Sequence, residues 1–278
     1  MKPGTLYVVA TPLGNLGDLA PRAAEVLRRA AVVAAEDTRR TRGLLSHLGA
    51  SPTLLSFHAH SRERRLDALL EILGDGRDVA LVTDAGTPGV SDPGTDLVAA
   101  AREAGFTVVP IPGPSAVATA LSAAGFPADR YLFLGFVPRK GAERTRLVAR
   151  AALEEWSVVL FEAPSRLAAL LRDLAAAAGP DRRAMVAREL TKLHEELRAG
   201  TLAELADYYS ETPPRGELTI VMEGTGTPAP APDRTTDATE EATALLAEGL
   251  SRREVARRLT ETLGIPRNDA YRLVMGLP

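Results

Sequence analysis

The chain has 278 residues, 45% hydrophobic and 25% charged, which fits one large or two medium globular domains and excludes wholesale disorder. It contains no cysteine, which excludes disulfides, thiolate metal sites and cysteine nucleophiles. The formal net charge of −3 gives no global basic field, no apolar run reaches the ~20 residues of a membrane helix, and the N-terminal run is too short for a secretory signal, so a cytoplasmic protein with no membrane partner is expected.

Thr5–Ala10 is a short apolar run and reads as a buried strand, followed by the turn-rich TPLGNLGD. Asp18 is placed to cap a helix that carries Pro21 in its first turn and runs to about Ala30. Ala31–Ala35 is a second strand, and EDTRR follows it. Arg64–Leu73 is an amphipathic helix ended by Gly74 and Gly76. Asp78–Thr83 is a strand, DAGTPGVSDPG a loop, and Thr95 or Asp96 opens a helix to Ala104. Phe106–Ile111 is a strand closed by PGPS, with a helix from Ser115 to Ala124. Strands alternating with helices of this length predict a mostly parallel, helix-covered sheet.

A second α/β unit starts near Pro114, with strands at Tyr131–Leu134, Ser157–Phe161, Arg183–Arg188 and Glu217–Met222, and helices at Ala142–Leu153, Ser165–Ala178 and Leu202–Tyr209. The Pro/Gly/Thr tract after Glu223 reads as a linker. Beyond it, Ser251 and Glu254 form a capping box for Arg252–Leu263, and Pro266 precedes a last helix to Met275. The expected division is 1–113, an N-terminal α/β domain; 114–223, a second α/β domain; 224–237, a linker; and 238–278, a helical unit.

Three glycine-rich loops stand at carboxyl ends of predicted strands: TPLGNLGD, DAGTPGVSDPG and PGPSA. Ligands of open α/β sheets bind there, where bare backbone and helix N-termini come close. None matches GxxxxGK[ST], which disfavours a P-loop kinase or ATPase, and the first is a poor GxGxxG. Charge is also uneven. Of the 33 basic residues, three are lysine; nine Arg face four acids between Arg22 and Arg65, and five basic residues face one acid between Arg139 and Arg150. Such patches suit a phosphate-rich partner or a solvated surface.

The blocks TLYVVATPLGNLGDL, AEDTRRTRGLL, VALVTDAGTPGVSDPG, VVPIPGPSA and RELTKLHEE, in this order and spacing, resemble the RsmI family of ribosomal RNA small subunit methyltransferases, a group within the tetrapyrrole-methylase-like superfamily. The resemblance runs from Gly4 to about Gly224 and, more loosely, through the tail. It implies a two-domain α/β fold: a parallel N-terminal sheet, a second mixed α/β domain and a small helical C-terminal unit. S-adenosylmethionine (SAM) would fold into the cleft between the domains. The implied reaction is methylation of the 2′-hydroxyl of a cytidine in the decoding region of 16S rRNA, by a homodimer whose partner is 16S rRNA within the small ribosomal subunit. In LFEAPSR, Ser165 stands where relatives often carry His, so no histidine role carries over to it.

SAM offers a sulfonium, an ammonium and a carboxylate, and the loops can meet each of them. Pro12 and Gly14 give close backbone approach in the first loop, or simply make its turn. Asp84, Gly86 and Thr87 supply an acid, a bare backbone and a hydroxyl, though Asp84 can instead stabilise its own turn. Ser115 and Ala116 open a helix, where Ser115 is a cofactor contact or a plain cap. Methyl transfer needs in-line positioning and help with one proton, and no metal is expected. Candidates for the proton acceptor are Asp37, His58 and Glu189. Asp37 beside so many arginines is a weakened base or a structural pair. Lys192 in a helical RELTKLHEE is a phosphate clamp, a polarising group or a salt-bridge partner of Glu189 or Glu195. Arg39, Arg139 and Lys140 are the candidate RNA contacts, whereas Trp156 and Phe161 read as core. Two other functions compete: SAM-dependent methylation of a tetrapyrrole-like small molecule, and a DNA-binding regulator using Arg252, Arg253, Arg257 and Arg258 of the tail.

Overall fold

The computed structural model describes residues 2–57, 62–227, 234–263 and 266–277. Its strands make two five-stranded sheets among these residues. β1 (Thr5–Val9), β2 (Val32–Ala35), β3 (Thr53–Ser56), β4 (Val79–Val82) and β5 (Thr107–Ile111) form the first, in the order β3-β2-β4-β1-β5, with every pair parallel. Period-two alternation splits its side chains between two cores. Val33, Ala35, Ala80 and Val82 pack on α1 (Pro21–Arg29) and α2 (Thr38–His47). Val32, Ala34, Val79 and Leu81 pack on α3 (Arg62–Gly74) and α4 (Thr95–Glu103). Both faces are covered, which is why these strands are nearly continuous in apolar residues.

The second sheet runs β6-β7-β10-β8-β9, from β6 (Tyr131–Phe136), β7 (Ser157–Glu162), β8 (Arg183–Arg188), β9 (Glu196–Thr201) and β10 (Leu218–Met222). β6 and β7 are parallel and the other neighbours antiparallel, so the sheet is mixed. Val158, Leu160, Val186 and Ile220 face α6 (Ala142–Leu153), α7 (Leu167–Ala178) and α8 (Leu202–Glu211). Val159, Met185 and Val221 face the other way, onto α5 (Ala116–Ala124). Residues 1–224 form one compact unit and 225–278 a second. The second holds α9 (Arg234–Ala247), α10 (Arg252–Leu263) and α11 (Arg267–Met275) around Ala242, Val255, Leu259 and Val274. Its capping box forms as read: Glu254 N–H donates to Ser251 Oγ at 3.3 Å, and Ser251 N–H to Glu254 Oε2 at 3.1 Å.

Several expectations are corrected. RELTKLHEE is not a helix. The antiparallel pairing of Arg188 with Glu196 makes residues 189–195 the connection of a hairpin, and Glu189 and Thr191 adopt φ values of 51° and 65° that no α-helix contains. His194 within this connection is an exposed turn residue. β9 was hidden because it is an edge strand carrying Glu196, Arg198 and Gly200, residues poorly suited to a pleated core. β3 and α2 add to the expected elements, α2 being capped by Asp37, which accepts the Arg39 N–H at 2.8 Å. Asn15, not Asp18, accepts a capping bond in the first loop, and Pro21 is the first residue of α1. Pro164–Arg166 is a separate 3-10 turn ahead of α7. α9 starts at Arg234, inside the tract read as linker.

Candidate active site

A cavity of about 330 Å³ lies between the carboxyl ends of the first sheet's strands and one face of the second sheet. That size falls within the range of small-molecule sites. Its floor is a row across the second sheet. Register sets Phe136 against Phe161, Phe161 against Thr219, and Thr219 against Ala187, so these four residues share one face and all line the cavity. Phe161, read as core, is thus a lining residue. Trp156, also read as core, is 37% exposed, with the Arg130 guanidinium 5.6 Å over its ring.

The opposite wall is acidic. Glu36, just past β2, accepts a hydrogen bond from the buried Thr83 hydroxyl at 2.8 Å and from Asp84 N–H at 3.4 Å. Asp84 accepts the Asp37 N–H at 3.0 Å and stands 3.5 Å from Arg40. Burial pushes the Asp84 carboxyl up against the lowering effect of that N–H and of Arg40. Asp92 goes further. Burial, then the charges of Glu36, Asp84 and Glu217, raise it to about 6, in spite of the lowering effect of the nearby Thr83 side chain. Ser91 before it sits at φ 62°, a backbone position costly for a non-glycine residue, and the turn it makes carries Asp92 to the cavity.

Backbone contacts sew the loops together. Thr11 and Gly86 exchange N–H to C=O bonds of 2.9 and 3.0 Å, joining the first glycine loop to the second. Gly86 has φ +85°, and a Cβ there would stand 3.3 Å from Leu13. The Thr87 hydroxyl donates to Pro114 C=O at 3.2 Å, joining the second loop to the third. Ser115 occupies the N-cap of α5 without making a capping bond, so its hydroxyl is not spent on the helix. Ala116 and Val117, the first two residues of α5, line the cavity beside it, and a helix N-terminus favours an anionic group.

Of the residues expected at a cofactor, Asp84, Gly86, Thr87, Ser115 and Ala116 line the cavity together. Pro12 and Gly14 do not; Leu13 between them does. A Cβ on Gly14 would come 2.2 Å from Lys192 Cγ, so this glycine makes room for the lysine chain. Lys192 Nζ is held by Glu189 at 2.8 Å and Glu217 at 3.0 Å, and Glu217 lines the cavity while Lys192 does not. Glu189 itself is held below the usual carboxylate range, because the Lys192 ammonium and the Glu217 N–H outweigh burial. Asp37 is not one of the lining residues and is gripped by Arg39 at 2.8 Å, which lowers its carboxyl to about 2. Arg39 is 85% exposed on its side chain, and Arg139 and Lys140 are exposed just after β6. His58 lies outside the described residues. Sequence reading missed Glu36, Asp92, Phe136 and Glu162. Asp92 carried a signal, being the second acid of its glycine loop. Among the described residues no three His, Asp or Glu side chains are grouped to hold a metal ion, and no helix is long and apolar enough to cross a membrane.

Residues 5–206 match the sequence profile of the tetrapyrrole (corrin/porphyrin) methylases. Ribosomal RNA small subunit methyltransferase I of Synechocystis sp. is 45% identical, with 99% of this chain and 98% of that one covered. The protein of the same name from Pseudomonas aeruginosa is 42% identical, over 98% and 96%. Among solved structures, uroporphyrin-III C-methyltransferase from Thermus thermophilus complexed with S-adenyl homocysteine superposes with a TM-score of 0.58 at 19% identity, over 79% of this chain and 97% of that one; at that identity the likeness is one of fold.

Proposed function

The chain belongs to the tetrapyrrole methylase family and, within it, to the ribosomal RNA small subunit methyltransferase I group, and from that premise we propose that it methylates small-subunit ribosomal RNA with SAM as donor. The finer reading is methylation of the 2′-hydroxyl of a cytidine in the decoding region of 16S rRNA. The observation that supports SAM as donor is the cavity itself, an acidic wall of loop residues facing a largely apolar floor. That pairing fits SAM, which is cationic at one end and carries a flat base at the other.

When bound, SAM supplies a methyl group already activated on a sulfonium. The chain has then to hold, orient and deprotonate. Glu36 and Asp84 attract the cationic groups and accept hydrogen bonds from ribose hydroxyls. The N–H groups at the start of α5, with Ser115, take the carboxylate. Phe161 and Ala187 give the base a flat apolar surface. Asp92 accepts the proton of the RNA hydroxyl on a carboxylate oxygen. With a pKa of about 6 the carboxylate is mostly ionised at neutral pH, ready to accept a proton, and is a stronger base than an ordinary aspartate. Lys192 fixes Glu217 at the rim rather than acting on the substrate.

In this reading 1–113 and 114–223 are the two halves that clasp the donor, 224–237 connects, and 238–278 is an accessory unit. The reading includes a cytoplasmic homodimer acting within the small ribosomal subunit. In the tail, Arg252 is turned inward to the C=O groups of Val274 and Met275, at 3.2 and 3.4 Å, which takes one arginine from the DNA-binding alternative. Tritiated methyl-SAM offered with small ribosomal subunits, free rRNA and uroporphyrinogen tests the reading. Label in RNA, mapped by mass spectrometry to a 2′-O-methylcytidine, is the expected result. Label in the tetrapyrrole alone overturns it.

A further inference from the structure

β6 ends at the cavity mouth on a ring held out in solvent. Phe136 is 57% exposed, although it lines the cavity. It continues an aromatic row, with 5.4 Å between the Phe136 and Phe161 ring centroids and 5.0 Å between Phe161 and Phe133. The strand is distorted to place it there. Pairing with β7 shifts between Phe133 and Gly135, so that Phe133 opposes Val159 while Phe136 opposes Phe161. Without that extra residue Gly135 would oppose Phe161 and Phe136 would turn away. Bulges of this kind re-aim side chains beside active sites. Gly135 makes the distortion possible, at φ +64° and with room for a Cβ only 3.1 Å from Ser91 Oγ of the acidic wall.

Past Phe136 the backbone is clamped. Val137 C=O accepts from Arg166 at 3.1 Å, and Pro138 C=O from Arg144 at 3.1 Å. Both arginines pair with Glu162, which is 1% exposed and borders the cavity, and Arg144 is itself fixed by Asp173 at 2.6 Å. This buried carboxylate therefore sets where the next two side chains emerge. Those are Arg139 and Lys140, both exposed. A solvent-facing phenyl ring that lines the cavity, a fixed backbone and two exposed cations thus follow one another along the chain.

We propose that Phe136 is the stacking platform for the base of the RNA nucleotide being methylated, with Arg139 and Lys140 on its flanking phosphates. This rests on the reading that the substrate is RNA. A ribose hydroxyl can enter a cavity of this size only from a nucleotide that has left its stack, and such a base exposes a π-face that an aromatic side chain recovers. Phosphates beside it carry the charge that suits Arg139 and Lys140.

The test uses the full chain. Binding of a fluorescein-labelled single-stranded RNA is followed by anisotropy without SAM, methylation of small subunits gives KM and kcat, and calorimetry gives SAM affinity. Phe136→Ala weakens RNA binding and raises the RNA KM on the order of ten- to hundredfold, with SAM affinity kept, and Phe136→Trp restores both. An abasic strand of the same length binds the wild type and Phe136→Ala alike. Wild-type RNA affinity in Phe136→Ala overturns the platform and leaves the RNA reading standing, whereas a wild type that labels no RNA removes that reading first. A sedimentation shift from dimer to monomer in Phe136→Ala assigns the ring to a subunit contact and also overturns the proposal.

Discussion

The two walls of the cavity come from sheets of different character. On the parallel side the lining residues sit in loops beyond the strand ends, so their placement depends on turn geometry, on Gly86 and on Ser91. On the mixed side the floor residues Phe136, Phe161, Ala187 and Thr219 sit within strands, so their placement depends on register. The first wall concentrates Glu36, Asp84 and Asp92, and their mutual repulsion with burial raises the carboxyls of Asp84 and Asp92. The first wall sets one cation, Arg40, against these three acids, whereas in the second wall each acid is answered by a cation: Glu162 by Arg144 and Arg166, Glu217 by Lys192. Charge left unbalanced belongs to the wall that would meet a cationic donor, and charge balanced by pairing belongs to the wall that shapes the entrance.

The sharpest way to break this contrast is at Asp92. Asp92→Asn should lower kcat about 10²- to 10⁴-fold, as removal of a general base does, while SAM affinity stays within a few fold. In the wild type log kcat should rise with pH and level off above about 6, where Asp92 is deprotonated, and the variant should lose that inflection. The sign for stability is opposite. The folded state holds this proton more tightly than the unfolded one, so the contribution to stability is full below about 4 and is lost as pH rises through about 6. Melting curves should therefore show the wild type gaining more than the variant on going from pH 7 to 5. Equal gains and an unshifted rate profile would place the proton acceptor elsewhere.

Asp84→Ala comes next. It removes a carboxylate that holds the Asp37 N–H and faces the cavity, and SAM affinity should fall about tenfold, in line with a charged hydrogen bond. An unchanged calorimetric Kd would leave Asp84 a turn residue only. Gly86→Ala probes the turn geometry of the same wall. At φ +85° and against Leu13 it should cost roughly 1–2 kcal/mol of stability by chemical denaturation. The second wall's counterpart is the pair Arg139 and Lys140. Replacing both by Ala should reduce the magnitude of the log-log salt slope of RNA binding by about 0.7–0.9 per lost phosphate contact, with SAM binding unaltered. An identical slope would mean that neither touches RNA.

Much of the fold was legible because its strands are short apolar runs and its helices are amphipathic. Pattern alone places eight of the ten strands found among the described residues, and α6 and α10 match to the residue. β9 escaped because an edge strand need not be apolar, and RELTKLHEE was misread because its charges at helical spacing serve a hairpin loop instead. The site was legible in part. Asp84, Gly86, Thr87, Ser115 and Ala116 declared themselves as glycine-loop residues at strand ends, and they do line one cavity.

What the sequence by itself determined is the alternation of strand and helix, the three glycine loops at strand ends and the family they resemble, since each is a local pattern. Tertiary structure alone decided that Asp92 stands among other carboxylates, that Glu162 anchors two arginines, that Lys192 closes on Glu217 past Gly14, and that a shifted register turns Phe136 to the cavity. Each of these depends on which chain segments meet across the two sheets. A side chain's face follows from its register with a distant partner, and its protonation follows from neighbours far away in the chain.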